Sequence, residues 1–162
     1  MILRLARPED SGAVAEMLWR LAEDLDDTEF VSTERSVREH GFGPQPHFHS
    51  ILAEQDGRPR GLALFIRHYS TTRAIPGVYV QDLWVAPDHR GDGLGQRLLE
   101  AVAAHASQAW NAGYLALTVH HDNPSAARFY DRLGFVPRVN DAPLMLKDTA
   151  FHEMVSSSEG DA

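Results

Sequence analysis

The chain has 162 residues, of which 43% are hydrophobic, and its formal net charge is −8 at pH 7. This length and composition predict one globular domain with a sizeable core. No run approaches the roughly 18 consecutive apolar residues that span a bilayer, and no signal peptide is apparent at the start. The acidic balance argues against nucleic-acid binding, which needs a basic surface, and mildly favours a small cationic partner. We expect a cytoplasmic protein with neither a membrane nor a nucleic acid as partner.

The chain has no cysteine. Disulfides, zinc sites with thiolate ligands and any transfer through a cysteine thioester are therefore excluded. The histidine pairs His47/His49 and His120/His121 lack the i, i+4 spacing typical of helical metal ligands, so no metal site is predicted.

The first third of the chain predicts one strand and two helices. Apolar and other residues alternate over residues 2–6. Pro8 then opens a helix whose apolar residues recur at helical spacing to about Leu25. Thr33 is an N-cap candidate for a second helix that runs to about His40, before a loop over 41–46 that is rich in glycine and proline.

The middle third predicts a hairpin and a further strand. An Asp-Gly turn separates two strand-like runs at residues 50–54 and 61–69. A loop over 70–77 follows, and a β-branched, aromatic-rich run predicts a strand over 78–86.

The last third predicts two helices and further strands. An amphipathic helix is predicted over 94–110, then a strand over 114–119 and a short helix over 124–134 capped by Asn123. Two further strands are predicted over 135–138 and 143–147. Residues 1–150 are therefore expected to form a single domain, and residues 151–162 a polar tail without regular structure.

A glycine-rich turn joins the strand at 78–86 to the helix at 94–110. Arg90, Gly93 and Gly95 form an Arg-x-x-Gly-x-Gly pattern. The phosphate loop and the dinucleotide fingerprint both fail, because Gln96 follows the last glycine. A strand, a glycine turn and a helix start aim backbone N–H groups at phosphate oxygens. The turn therefore predicts a phosphate-bearing cofactor.

This turn, after a strand that reads Asp82-Leu83-Trp84-Val85-x-Pro87, resembles the pyrophosphate-binding motif of the GNAT superfamily of acyl-CoA-dependent N-acetyltransferases. The resemblance covers nearly the whole chain and implies an α/β (α+β) fold with a mixed, strongly bent central sheet and helices on both faces. It also implies acetyl-CoA as cosubstrate, direct acetyl transfer in a ternary complex, no metal and a homodimer. The cofactor-binding residues that it implies are Leu83, Trp84, Val85, Arg90, Gly91, Asp92, Gly93, Leu94, Gly95, Gln96, Asn123, Ser125 and Tyr130.

The run Asn123-Pro124-x-Ala126-x-x-Phe129-Tyr130 carries the second half of the resemblance. It implies that Asn123 touches the pantetheine arm and that the Tyr130 hydroxyl protonates the departing thiolate. A phenol with a pKa of about 10 is a suitable acid for a thiolate whose parent pKa is about 8.5. Tyr130 also shares a helix face with Phe129, so a place in the core is the alternative.

Tyr69-Ser70-Thr71 and the strand around Gln81-Asp82 resemble a narrower branch, the spermidine/spermine and thialysine N-acetyltransferases. That branch has Glu where this chain has Gln81, and its Glu steers deprotonation of the substrate. An amide cannot act as a general base. Strand alternation would point Asp82 away from Gln81, although a bulge could re-aim either side chain.

The proton acceptor remains open at this point. An alkylammonium has a pKa of about 10.4, and it must lose a proton before its nitrogen can attack a thioester. The candidates are Asp82, His120 and a water held by Gln81. The acceptor amine could instead be less basic, as an α-amine is.

An acidic cluster before the second helix predicts the acceptor side. Glu23, Asp26 and Asp27 lie in a stretch without Lys or Arg, and in this fold that segment lines the acceptor site. A plain solvated surface is the alternative. We predict an N-acetyltransferase that acts on a small cationic acceptor, a polyamine, diamine or amino-acid-like amine, through Tyr130, Asp82 and Gln81. The rivals are an enzyme for a protein N-terminus or an antibiotic-like amine, and a non-catalytic acyl-CoA-binding module.

Overall fold

A computed structural model describes residues 1–138 and 144–159, and its described part contains one mixed sheet of five strands. The strands are β1 (Ile2–Leu5), β2 (His49–Gln55), β3 (Arg58–Ser70), β4 (Ile75–Val85) and β5 (Leu115–Leu117). They are neighbours in chain order. The first three pairings are antiparallel and the β4–β5 pairing is parallel. The strand directions are therefore mixed, as predicted, and the fold belongs to the predicted α/β class.

The first four helices of the described residues agree closely with the sequence pattern, and the last one was not predicted. They are α1 (Ser11–Asp24), α2 (Glu34–Phe42), α3 (Leu94–Trp110), α4 (Pro124–Arg132) and α5 (Asp148–Glu159), with short 3-10 turns at Pro8–Asp10 and Pro87–His89. The predicted N-cap is confirmed, because the Thr33 hydroxyl accepts a hydrogen bond from the Ser36 backbone N–H at 3.2 Å. Within the described residues, no helix has both the length and the apolar character needed to cross a membrane.

The structure corrects the secondary-structure predictions at several places. Residues 75–77 were expected in a loop but belong to β4, where Gly77 leaves room for the Tyr114 ring, since a Cβ on Gly77 would collide with the ring carbon Cζ. No strand is present over 135–138 or 144–147, and the predicted start at Pro143 lies outside the described residues. Residues 151–159, expected without regular structure, are helical in α5, where Phe151 and Val155 lie at i, i+4 spacing.

The chain forms two compact units, Met1–Asn123 and the part from Pro124 onward. In the first unit the sheet is covered on both faces. Leu62 and Leu64 of β3 pack in a cluster with the buried residues Val14, Met17, Leu18, Val37 and Leu52 of α1, α2 and β2. The alternate residue Gly61 faces α3, since a Cβ there would lie 3.0 Å from Leu98.

A bulge interrupts β4 where it crosses the middle of β3. Phe65 pairs with Val80, but the preceding residue Leu64 pairs with Asp82, so Gln81 is the extra residue. The parallel pairing with β5 also ends at Val80. Beyond the bulge, in the described residues, β4 keeps only β3 as a strand neighbour.

Candidate active site

A cavity of about 300 Å³ lies between α1, α2 and the sheet. Apolar side chains form most of its wall: Leu18, Leu21, Ala22, Leu25, Phe30, Val37, Phe48 and Leu64. The polar lining residues are Asp27, Ser32, Ser36, His40, Gln81 and Asp82. A mostly apolar cleft with a few convergent polar groups is typical of a small-molecule site.

The β4 bulge brings two predicted catalytic residues to this cavity. Gln81 and Asp82 are adjacent in sequence, and regular alternation would send their side chains to opposite faces of the sheet. With Gln81 as the bulged residue, both line the cavity. The two side chains can therefore act on one bound molecule.

The environment of Asp82 suits a proton acceptor. Its carboxyl group is largely buried beside apolar side chains such as Leu64, and burial raises the pKa of Asp82 to about 6. A carboxylate in this range is ionised at neutral pH and is more basic than an exposed one. Gln81 supplies an amide that can donate and accept hydrogen bonds but has no charge.

The predicted acceptor-side acids lie close to the same cavity. Asp27 lines it, and Glu23, Asp26 and Asp27 line a neighbouring cavity of about 370 Å³. The Asp27 carboxylate already accepts a hydrogen bond from the Glu29 backbone N–H at 2.9 Å. His120, also predicted on the substrate side, is exposed and is not among the residues that line either cavity.

Of the residues that line this cavity, sequence reasoning named only Asp27, Gln81 and Asp82 as site residues, and among those it missed are His40 and Phe48. The Phe48 ring packs against Gly41 so closely that a Cβ on Gly41 would lie 2.6 Å from its Cε2 atom. Gly41 was assigned to a loop but lies inside α2. The sequence offered no signal for this contact, because a glycine at the end of a helical run is normally a helix stop.

The glycine turn has the backbone geometry that an anion site needs. Gly91 and Gly93 adopt the left-handed conformation, with φ of 89° and 76°, where a Cβ would be strained. Gly93 caps the 17-residue helix α3, whose first residues are Leu94 and Gly95. The backbone N–H groups of this first turn have no helical acceptor and carry the positive end of the helix dipole. These residues fit a diphosphate group.

Arg90 is held in place by two groups that the sequence did not connect to it. Its Nε donates to the Val85 carbonyl at 2.8 Å, and its guanidinium forms an ion pair with the Asp24 carboxylate at the end of α1. The same carboxylate accepts a hydrogen bond from Trp84 Nε1 at 3.0 Å. Two of the five guanidinium N–H donors are thus engaged, one of them by an anionic group, the Asp24 carboxylate.

The predicted cofactor strand has an open edge. Because β5 pairs only with Val78–Val80, the backbone of residues 83–85 has no strand on its β5 side within the described part of the chain. Such an edge can pair with an extended amide-bearing group.

Tyr130 lies in α4, in the second compact unit. Its ring contacts Phe129 and Phe135, with centroid distances of 5.0 and 5.4 Å, and burial raises the pKa of Tyr130. Ser125 is exposed on the same helix, and the Asn123 backbone N–H donates to His120 O at 3.0 Å. The predicted roles of these residues stay predictions.

Comparison with known proteins identifies the family. The model of the acetyltransferase (GNAT) family matches residues 13–135. The thialysine N-epsilon-acetyltransferase of Sus scrofa is 32% identical over 144 residues, which cover 83% of each chain. The N-alpha-acetyltransferase 40 of Saccharomyces cerevisiae is 35% identical over 108 residues, 63% of this chain and 35% of the yeast protein.

Solved structures share the fold of this chain. An integron cassette protein from V. cholerae superimposes with a TM-score of 0.78 at 18% identity, covering 95% of this chain and 96% of that one. The family match and the similarity to the pig protein, which extends over most of both chains, together show that this chain belongs to the GNAT family of acetyltransferases.

Proposed function

We propose that the chain is an acetyl-CoA-dependent N-acetyltransferase that acts on a small cationic amine. The observation that carries the proposal is the bulge that brings Gln81 and Asp82 to one cavity beside the acids of the α1–α2 segment. The net charge of −8 and the acids Glu23, Asp26 and Asp27 favour a cationic acceptor.

Asp82 is the base in this proposal. The acceptor ammonium enters the cavity, where Asp82 takes its proton directly or through a water that Gln81 orients. The neutral amine then attacks the thioester carbonyl. With a pKa of about 6, Asp82 is ionised when the protein meets an ammonium at neutral pH.

The cosubstrate is held by the open strand edge and the glycine turn. The backbone of residues 83–85 pairs with the pantetheine amides and donates to the oxyanion as it forms, while Asn123 contacts the same arm. The backbone N–H groups of residues 91–96 and the guanidinium of Arg90 bind the diphosphate. Acetyl-CoA supplies the activated acetyl group, and Tyr130 protonates the sulfur that leaves.

A less basic amine is the second candidate acceptor, and the uncharged Gln81 favours it. An α-ammonium group has a pKa of about 7.7–8, so it loses its proton more readily than an alkylammonium and depends less on a protein base. A yeast relative is named an N-alpha-acetyltransferase, and another relative, from Streptomyces lavendulae, a streptothricin acetyltransferase. A protein N-terminus and an antibiotic-like amine therefore belong in the test.

The test is release of the CoA thiol from acetyl-CoA by the purified chain with a panel of acceptors. The panel contains spermidine, putrescine, thialysine, free amino acids, a peptide with a free N-terminus and an aminoglycoside. Turnover with a small cationic amine supports the proposal and names the acceptor. Turnover with the peptide alone or the aminoglycoside alone would mean that the acceptor is a protein N-terminus or an antibiotic-like amine, and not a small cationic amine. Binding of CoA without turnover on any amine overturns the catalytic proposal. A size measurement of the same sample tests the proposed homodimer.

A further inference from the structure

Asp24 connects the end of α1 to the turn that precedes α3. It is the last residue of α1, and its carboxylate accepts hydrogen bonds from Trp84 Nε1 and from the guanidinium of Arg90. Its sequence neighbours gave no indication of this role, because it lies within a run of acids. The contacts join residues 24 and 90, which are 66 positions apart.

The segment that follows Asp24 forms part of the cavity wall. Leu25, Asp27 and Phe30 all line the cavity that also contains Asp82. The start of this segment is tied to α1 by three backbone N–H groups. Those of Leu25 and Asp27 donate to the Ala22 carbonyl, and that of Asp26 donates to the Glu23 carbonyl. A shift of the Asp24 carboxylate would therefore be transmitted to the wall by the covalent chain.

Arg90 is needed by two anions. In the proposed function its guanidinium faces a diphosphate, and in this structure it forms an ion pair with Asp24. Both side chains are substantially exposed, 46% for Arg90 and 40% for Asp24, so the pair is of the weak, solvent-screened kind. A diphosphate carries more charge than a carboxylate and accepts bidentate hydrogen bonds from a guanidinium.

We propose that Asp24 is a positioning residue that competes with the diphosphate of the cosubstrate for Arg90. Binding of the diphosphate weakens the Asp24–Arg90 pair, leaves Trp84 Nε1 as the remaining partner of the Asp24 carboxylate and thereby loosens segment 25–30 of the acceptor cavity. The inference rests on the proposed function, because it takes Arg90 and the glycine turn as the diphosphate site. It makes the cosubstrate the ligand that prepares the cavity for the acceptor.

The experiment compares CoA with pantetheine, which has the same thiol arm but no diphosphate. Affinity is measured by calorimetry for the wild type, Asp24→Asn, Asp24→Glu and Glu16→Gln. The amide that Asp24→Asn introduces can still accept the Trp84 hydrogen bond, so this substitution removes the charge alone. Glu16 is the matched control, since it lies on α1 and pairs only with Arg20, at 3.7 Å, among the described residues.

We expect Asp24→Asn to bind CoA up to about fivefold more tightly, the limit set by an exposed ion pair, and pantetheine unchanged. Asp24→Glu, which keeps the charge, and Glu16→Gln should bind CoA as the wild type does. A residue with a merely structural role would give weaker CoA binding in Asp24→Asn, and that result overturns the proposal.

Hydrogen exchange supplies the second readout. In the wild type, CoA but not pantetheine should speed amide exchange in residues 25–30, and Asp24→Asn should show the faster exchange without ligand. Unchanged exchange in the wild type at saturating CoA overturns the inference and leaves the proposed function standing. Failure of the wild type to bind CoA overturns both.

Discussion

Gln81 and Asp82 are consecutive residues of one strand, yet their side chains line the same cavity. Gln81 has no partner on β3, because Val80 pairs with Phe65 and Asp82 with Leu64. An uncharged amide and a buried carboxylate of raised pKa therefore face one bound molecule. The contribution of each side chain can be tested by its own substitution.

Asp82→Asn should remove the acid limb of the pH–rate profile. The pKa of Asp82 is raised to about 6, so the group is protonated below this pH and cannot accept a proton. The wild-type kcat/KM should therefore rise with pH through about 6, and the variant should be about 100-fold slower at pH 8. The acceptor amine titrates in the same way with both enzymes. Its contribution therefore cancels in the ratio of wild-type to variant kcat/KM, which reports on Asp82.

The matched control for this substitution is Asp56→Asn. Asp56 lies in the β2–β3 turn with φ of 52°, a conformation that Asn also tolerates. This variant should keep the wild-type profile. An Asp82→Asn enzyme that retained the acid limb would assign that limb to another group.

Gln81→Glu should improve the use of dicationic acceptors. A second carboxylate in the cavity attracts a second ammonium, and we expect KM to fall several-fold for a diamine relative to a monoamine of equal length. Two neighbouring carboxylates also disfavour each other's ionised form, so the acid limb should move above pH 6. Initial rates over a pH series measure both effects.

Gln81→Met tests whether charge is the cause of that change. Methionine has a similar length but neither charge nor a strong hydrogen-bond acceptor, so it should give no preference for the diamine. An equal gain in Gln81→Met and Gln81→Glu would mean that shape, and not charge, sets the preference.

Gly41→Ala should damage the acceptor site alone. The new methyl group would lie 2.6 Å from Phe48 Cε2, so the ring must move, and overpacking of this kind costs about 1–3 kcal/mol. We expect KM for the acceptor to rise about tenfold while KM for acetyl-CoA stays within twofold. The added substitution Phe48→Leu should restore much of the loss.

Gly12→Ala is the matched control for that variant. Gly12 also lies in a helix, but its nearest neighbour would be the flexible end of Glu34, with Oε2 at 3.3 Å. Acceptor KM should be unchanged. If Gly12→Ala and Gly41→Ala raise it equally, a general loss of stability explains the result.

Tyr130→Phe should lower turnover and spare cosubstrate affinity. Removing the hydroxyl removes the proposed acid for the leaving thiolate, for which we expect a loss of about 10- to 100-fold in kcat. The ring contacts with Phe129 and Phe135 remain, so the Kd for CoA should stay within twofold. Tyr69→Phe, at an exposed tyrosine of β3, is the control. Unchanged kcat in Tyr130→Phe would overturn its assigned role.

Local patterns predicted the parts of this fold that local interactions determine. The bounds of α3 follow from its apolar periodicity, and the Thr33 cap follows from its side-chain chemistry. Residues 75–77 were misassigned because Pro76 and Gly77 are typical of turns. They lie in β4 because β3 supplies the pairing partners Ser70, Tyr69 and His68, which a local pattern cannot show.

The site was predictable where a motif carried it. The glycine turn was identified from its spacing and Gln81-Asp82 from the resemblance of their strand to a known branch, but His40, Phe48 and Asp24 were not identified. Asp24 and His40 lie in α1 and α2, and Phe48 packs against α2 at Gly41. Their positions depend on how these helices pack on the sheet, which a local pattern does not show. The bulge was foreseen only as an option, because strand register depends on pairing and not on the strand's own residues.

The bulge depends on the number of residues in β4 and not on which residue occupies position 81. Any missense change at codon 81 keeps one residue between Val80 and Asp82, so the strand retains its local kink. Loss of that codon would instead give an uninterrupted ladder and a straighter strand, with Asp82 still opposite Leu64. Gene variants with an in-frame gap here would therefore alter the shape of the cleft even though the acidic group survives.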